Sequence, residues 1–288
     1  MPAAALPPEL DQWFAQRGWR PRRHQRAMLD VAASGRHALL VADTGAGKTL
    51  AGFLPTLAAF CPSTLAGAPP PEGLHTLYVS PLKALAHDVQ RNLLAPVAEM
   101  GLALRIETRS GDTPSERKAR QRARPPQVLL TTPESLSLLL SYPEAETLFA
   151  SLQRIVIDEV HAFASGKRGD LLALALTRLQ TLAPAMQRVA LSATVAEPDA
   201  WRGWLAPGGA AEQVTLVEGE EGAPAELSIL LPQDACVPWG GHAAAWAIPQ
   251  LYGAIKANRT TLVFTNTRFL AEFIFQKLWD ANADHLPI

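Results

Sequence analysis

The stretch ALLVADTGAGKTLAGFLPTLAAF, residues 38–60, holds an apolar run of strand length, a turn of small residues and a second apolar run with helical spacing. ALLVA (38–42) has the continuous apolar character of a strand buried on both faces. Gly45 and Gly47 give the backbone the freedom for a tight turn, and TLAGFLPTLAAF (49–60) opens a helix directly behind it. Such a turn gathers backbone amides and the positive end of a helix dipole around one point, where a phosphate is received. Thr44, Gly45, Ala46 and Gly47 are the candidate cradle for the phosphates of a nucleotide. Lys48 would lie against its β and γ phosphates, and Thr49 would give its hydroxyl to Mg²⁺. The strict phosphate-loop pattern begins with glycine, whereas Ala42 stands there. An ordinary strand-to-helix link explains the glycines but gives no reason for Lys48 and Thr49 to follow.

Outward from this unit, HTLYVS (75–80), LALRIE (102–107), QVLLT (127–131), RIVID (154–158) and RVALS (188–192) read as further strands. Helices are expected after Lys48, over 82–100 and 114–122, after Pro133, and over 170–182. The alternation predicts an α/β fold, a doubly wound parallel sheet covered by helices on both faces. GAPPPEG (67–73) reads as a surface loop and EGEEGAP (218–224) as a break in the pattern. Residues 1–217 are therefore expected to form one domain, 218–249 a linker, and 250–288 the opening of a second. Beyond the break come a strand-like ELSILL (226–231), a helix over 243–257, a strand TLVFT (261–265) and a helix over 268–279. One strand and one helix cannot close a core, so the second domain is expected to be cut short.

The chain has 288 residues, 48% of them hydrophobic, which suffices for a sizeable core. Cys61 and Cys236 lack ligand spacing, which points to a reducing compartment, the cytoplasm by default. MPAAALPPELDQWF (1–14) carries prolines and acids where a secretory signal needs a basic start and an apolar core, and no apolar run reaches membrane length, so a soluble, untargeted chain is expected. A formal net charge of −1 does not announce a nucleic-acid binder. Two clusters, Arg17, Arg20, Arg22, Arg23 and Arg26, and Arg117, Lys118, Arg120, Arg122 and Arg124, could track phosphates or be solvated helix faces.

A nucleotide site needs a second strand end. RIVIDEVHAF (154–163) supplies one that ends in two acids, Asp158 to hold Mg²⁺ and Glu159 to orient and deprotonate an attacking water. Alone, such a pair is more often a solvated strand end; beside the loop at 42–49 it gains a purpose. His161 follows two residues later and precedes SATV (192–195) at another expected strand end, so polar side chains there can bond to each other.

ADTGAGKT, SPLKALA, RSGDT, TTPES, DEVH, SAT and LVFTNTR occur in the order and approximate spacing of superfamily 2 DExH-box helicases. SPLKALAHDVQRNL, TTPESLSLLLS and SGKRGDLLALALTRL resemble the Large helicase-related (Lhr) branch. PWGGH and FQKLWDANADHLPI resemble, more narrowly, bacterial ligase-associated DEXH-box DNA helicases. The resemblance implies a complete RecA-like P-loop NTPase domain and the start of a second. It implies an ATP-dependent DNA helicase or translocase, 3′-to-5′ on single-stranded DNA, in DNA repair, with single-stranded or partly duplex DNA and repair proteins such as a ligase or nuclease as partners. Gln25 in RPRRHQ resembles the adenine-reading glutamine, and Arg22 is a candidate to stack on the base. Ser80, Lys83, Arg109, Gly111, Asp112, Thr131, Thr132 and Ser135 fall in motifs that grip a single strand, and Thr265 and Arg268 in the motif opening the second domain. The plain alternative for the hydroxyls is helix capping and turn chemistry. Of Trp13, Trp19, Trp239, Trp246 and Trp279, none is assigned a base to stack on.

Asp43 departs from the family's usual proline and sets an acid beside the phosphates. The arginines that stabilise the transferring phosphoryl group come, in this family, from the second domain. The 288 residues alone are therefore expected to bind Mg-ATP weakly and hydrolyse it barely. Two other classes fit the same residues: an ATP-gated clamp that holds nucleic acid without unwinding it, and an RNA helicase. A metabolic P-loop kinase would not need the ordered motifs from 80 to 135.

Overall fold

Continuous apolar runs leave both faces of a strand needing cover, and the chain meets that need with a parallel sheet between two helical layers. The structure, a computed structural model, describes residues 5–164, 166–220, 226–229, 245–283, 285 and 287. It divides into two compact units, 1–222 and 223–288.

The first unit begins with α1 (Pro8–Gln16) and α2 (Arg23–Ala33), then β1 (His37–Val41) and α3 (Lys48–Ala59). A short α4 (Pro62–Leu65) precedes β2 (Thr76–Val79), α5 (Lys83–Glu99), β3 (Ile106–Thr108), α6 (Ser115–Ala123), β4 (Val128–Thr131) and α7 (Pro133–Leu140). There follow α8 (Ala145–Phe149), β5 (Arg154–Ile157), a 3₁₀ turn (Val160–Phe163), α9 (Lys167–Leu182), β6 (Gln187–Ser192), α10 (Pro198–Leu205) and β7 (Val214–Glu218). The sheet runs β3-β4-β2-β5-β6-β1-β7, every pair parallel. All strand C-termini therefore lie along one edge, where ligands of open α/β sheets bind.

Side chains alternate between two cores, as the two-residue period of a strand requires. Leu40, Tyr78, Leu130, Val156 and Leu191 join Phe14, Met28, Phe53, Leu57 and Val89 on one face. Leu39, Val79, Leu129, Ile157 and Ala190 join Leu136, Leu139, Leu172, Leu176 and Leu205 on the other. Each fully buried aliphatic or aromatic side chain is worth about 1.5–3 kcal/mol, so the two cores dominate the unit's stability.

The six expected strands of this unit are present, with differences that have physical causes. LALRIE is a strand only from Ile106, because Leu104 and Leu102 turn back beneath α5, the Leu102 amide donating to Val97. β7 was not expected: its alternating QVTLVE pairs with β1 on one side only. In the second unit α11 (Ile248–Ala257) and α12 (Arg268–Ala281) form, packed through Ile248, Ile274 and Leu278. TLVFT (261–265) is not a strand, since no ladder partner for it exists among the described residues. Of ELSILL, residues 226–229 are irregular and exposed; Leu230, Leu231 and the whole of PWGGH lie outside the described residues. Among the described residues no helix is long and apolar enough to cross a membrane.

Candidate nucleotide site and the adjoining strand ends

β1 ends at Val41, and the loop behind it turns twice through left-handed backbone, at Gly45 (φ 81°) and Gly47 (φ 79°), before α3 begins at Lys48. Positive φ is cheap only for glycine, so these two residues make the cup. The buried Lys48 ammonium donates to the carbonyls of Ala42 (2.7 Å) and Asp43 (3.0 Å), spanning the loop. Thr49 lies half-buried in the first turn of α3, while Thr44 and Asp43 are exposed and Ala46 is buried. Ala42 faces Gly219: a Cβ at 219 would come within 2.3 Å of the Ala42 methyl. A side chain at position 42 is thus accommodated by glycine just past β7.

α2 supports the loop from one side. Gln25 is buried at its third position; its carbonyl accepts from the Arg22 amide (2.9 Å) and its Nε2 reaches the Gly47 carbonyl (3.4 Å). The Arg22 side chain is exposed at the helix start. His24, not singled out in the sequence although it precedes Gln25, is fully buried with Nε2 3.0 Å from the Ala46 carbonyl. Donation to that carbonyl puts the proton on Nε2, and burial pushes the imidazole pKa down, so the neutral ring holds the loop.

The acid pair stands two strands away, across β6. Asp158 is buried; one carboxylate oxygen accepts from the Tyr78 hydroxyl and the other from the Glu159 amide (2.9 Å). Burial pushes its carboxyl above the usual carboxylate range, opposed by Tyr78, the Glu159 amide and the positive charge of Lys48. Lys48 and Asp158 therefore share one electrostatic neighbourhood. Tyr78, wholly buried and stacked on Phe53 of α3 at 5.3 Å, keeps its proton: burial and the Asp158 charge push its pKa far up. The only sign of Tyr78 in the sequence is a polar tip inside an apolar strand.

Glu159 itself has left-handed backbone (φ 47°, ψ 51°), which costs a non-glycine residue about 1–3 kcal/mol and turns the chain sharply out of β5. His161 Nδ1 lies 2.9 Å from the Ser192 hydroxyl and 3.4 Å from the Glu159 carboxylate. Because Ser192 donates its own proton to the Thr194 carbonyl (2.8 Å), the hydroxyl accepts from His161. The strand ends of β5 and β6 are thereby joined by side chains.

The candidate nucleic-acid residues divide. Lys83, Gly111 and Asp112 are exposed, Lys83 paired with Asp112 at 2.7 Å and the Gly111 carbonyl accepting from Lys118. Thr132 caps α7, its hydroxyl accepting from the Ser135 amide (3.5 Å), and both residues are largely covered. Arg109 is buried, with one nitrogen on the Lys118 carbonyl (3.0 Å) and its guanidinium 5.8 Å from the Tyr142 ring centre. Ser80 and Thr131 are likewise interior, Ser80 bonded to Leu82 and the Thr131 hydroxyl lacking a hydrogen-bond partner. All three side chains lie in the interior behind the strand ends, Arg109 and Ser80 each bonded to a backbone carbonyl. In the second unit Thr265 donates to the Thr267 carbonyl and Arg268 is exposed on the first turn of α12.

Arg168, in the SGKRGD stretch, was not assigned a role from sequence. Its Nε and one terminal nitrogen reach Glu134 of α7 (2.6 and 3.4 Å), and that terminal nitrogen also donates to the Pro81 carbonyl (2.8 Å).

Comparison with known proteins agrees with this geometry. The chain is 37% identical to the Lhr helicase/probable uracil glycosylase of Mycolicibacterium smegmatis over 96% of its length, and 34% identical to the Lhr helicase/uracil glycosylase of Escherichia coli over 99%. It is 32% identical over 95% to the ATP-dependent helicase Lhr-Core of Methanothermobacter thermautotrophicus. The chain spans 19%, 20% and 33% of those relatives' lengths respectively. Among solved structures, Mycobacterium smegmatis helicase Lhr bound to ssDNA and AMP-PNP superposes with a TM-score of 0.80 at 33% identity, over 96% of this chain and 36% of that one. The first unit thus has the RecA-like fold of these helicases. The DEAD/DEAH box helicase pattern matches residues 22–200, from the start of α2 through the phosphate loop and the acid pair to α10, and the chain belongs to that family.

Proposed function

We propose that this chain is the ATP-binding part of an ATP-dependent DNA helicase or translocase. The observation that carries the reading is the placement of the Lys48 loop and the Asp158 carboxylate on one edge of one parallel sheet, near enough for their charges to interact. The loops after β2 and β4 leave from that same edge. A strand of nucleic acid lying across them would touch the machinery that turns over the nucleotide.

The residues fit Mg²⁺. Asp158 and Thr49 are hard oxygen donors, and each Asp158 oxygen, holding one protein donor, keeps a lone pair for a metal-bound water. Bound there, the ion would neutralise charge on the phosphate oxygens. Lys48 would trade loop carbonyls for the β and γ phosphates, and Glu159 would take the proton from the attacking water. His161, tied to Ser192, would hold the two strand ends in register. Gln25, with one amide proton and one lone pair to spare, would read the adenine edge.

DNA as the track is supported by the ssDNA-bound Lhr structure. The family resemblance adds 3′-to-5′ polarity, a repair setting with ligase or nuclease partners and a second RecA-like domain opening near 250, while the EGEEGAP break supports a linker near 218–249 and the cysteine usage a cytoplasmic location. In the full-length protein, ATPase activity should rise with single-stranded DNA, and a duplex with a 3′ tail should be unwound. ATP-dependent DNA binding without strand displacement would mean a clamp, and stronger stimulation by RNA an RNA helicase. Failure to bind Mg-ATP would end the proposal.

A further inference from the structure

We infer that Arg168 is the positioning residue that couples the nucleic-acid-facing loops to the hydrolysis strand end, an inference that rests on the function proposed above. The argument begins with where α9 starts. Gly169 lies so close to the 3₁₀ turn after the acid pair that a Cβ there would stand 2.2 Å from the Phe163 carbonyl oxygen. The first turn of α9 is therefore locked to the segment that carries His161. From that fixed base the Arg168 side chain passes 5.8 Å from the Phe163 ring centre and forks. One prong takes the Glu134 carboxylate in the first turn of α7, behind Thr132, and the other takes the Pro81 carbonyl in the loop between Ser80 and Lys83. One guanidinium thus joins three segments that are distant in sequence: the turn after Glu159, the loop after β2 and the helix after β4. Burial works to raise the Glu134 carboxyl, but the hydrogen bond from Arg168, with a backbone amide and Thr132 beside it, holds it below its ordinary value.

Stability does not account for this arrangement. The Arg168 and Glu134 side chains are 44% and 52% exposed, and exposed pairs contribute about 0–1 kcal/mol. What the fork supplies is geometry. Five N–H groups in one rigid plane can serve Glu134 and Pro81 at once, whereas a lysine ammonium on a flexible stem has no such fixed span. A displacement of either loop by bound nucleic acid is thereby passed to the Phe163 turn, and so to His161 and Glu159.

The test uses the full-length protein and its Arg168→Ala and Arg168→Lys variants, with an oligo-dT strand as the probe. Basal Mg-ATPase and oligo-dT stimulated ATPase are measured alongside oligo-dT binding by anisotropy and the thermal midpoint. For Arg168→Ala the expected result is a basal rate within about twofold of wild type and a stimulation factor lowered about tenfold, the size of one charge-assisted positioning contact. Strand binding and the midpoint should change little. Arg168→Lys should recover only part of the stimulation. A stimulation factor intact in Arg168→Ala would overturn the inference, as would basal and stimulated rates falling together with the midpoint, the mark of a merely structural role. A wild-type protein that shows no stimulation would instead overturn the proposed function itself.

Discussion

Replacing Gly169 by alanine pits two opposed effects against each other, and the structure says which wins. Gly169 is helical, without positive φ, in the first turn of α9, so alanine should stabilise it by up to about 1 kcal/mol on helix propensity alone. The added Cβ, however, would sit 2.2 Å from the Phe163 carbonyl oxygen and 3.3 Å from its carbon, both backbone atoms that no rotamer can move. Forcing a methyl into a packed site costs about 1–3 kcal/mol. The net effect should be a loss of about 0–2 kcal/mol. Gly203 is the internal control: it too is helical, in α10, but a Cβ there meets only the Gly209 carbonyl oxygen, at an ordinary 3.7 Å. Gly203→Ala should keep the propensity gain. The variants should therefore differ by about 1–3 kcal/mol, or about 2–12 °C in the midpoint of the 222-residue unit. Thermal unfolding followed by circular dichroism measures this directly. Equal midpoint gains for the two alanines would refute the claimed contact between α9 and the Phe163 turn, and with it the rigid base assigned to Arg168.

Further outcomes follow from the same geometry. Lys48→Ala removes the buried ammonium spanning the loop and should weaken nucleotide binding at least about tenfold, measured with a fluorescent ATP analogue; unchanged affinity would remove Lys48 from the site. Tyr78→Phe keeps the stack on Phe53 but takes a donor from Asp158. The Mg²⁺ concentration that half-saturates nucleotide binding should rise about 10-fold or more, with metal-free binding unaltered. His75 is buried and its pKa is lowered to about 4 by burial, reinforced by Arg154. A depressed histidine pKa means that only the unfolded chain takes up the proton between pH 6.5 and 4. The His75 share of stability should be full above pH 6.5 and fall by about 3 kcal/mol on the way to pH 4; His37, also lowered to about 4 by burial, adds to the fall, so a His75→Gln variant should lessen the slope in urea titrations without abolishing it.

The parts of this molecule that the sequence reveals are those encoded within one short segment. The phosphate loop is legible because strand, turn and helix adjoin within 38–60, and six strands are legible because a strand buried on both faces must be apolar throughout. β7 escaped because an edge strand beside a charged run carries a weaker signal, and TLVFT misled because a strand exists only with a partner to pair with. His24, Tyr78 and Arg168 act on residues 22, 80 and 34 to 87 positions away, distances that no local spacing discloses. The burial of Arg109 against Tyr142 was not legible either, because the ring that covers the guanidinium lies 33 residues further along the chain.

The strand order also governs how the chain comes together during synthesis. β1 finds both of its neighbours late, at 187–192 and 214–218, while β2, β3, β4 and β5 pair among themselves within residues 76–157. At about 5–20 residues per second, a ribosome needs about 7–30 s between making β1 and making β6, the first of those neighbours. For that interval the earliest strand waits unpaired, an apolar segment available to chaperones. The nucleotide cup, encoded near the front of the message, is among the last features of the domain to acquire its shape, so ATP can assist only the closing steps of folding.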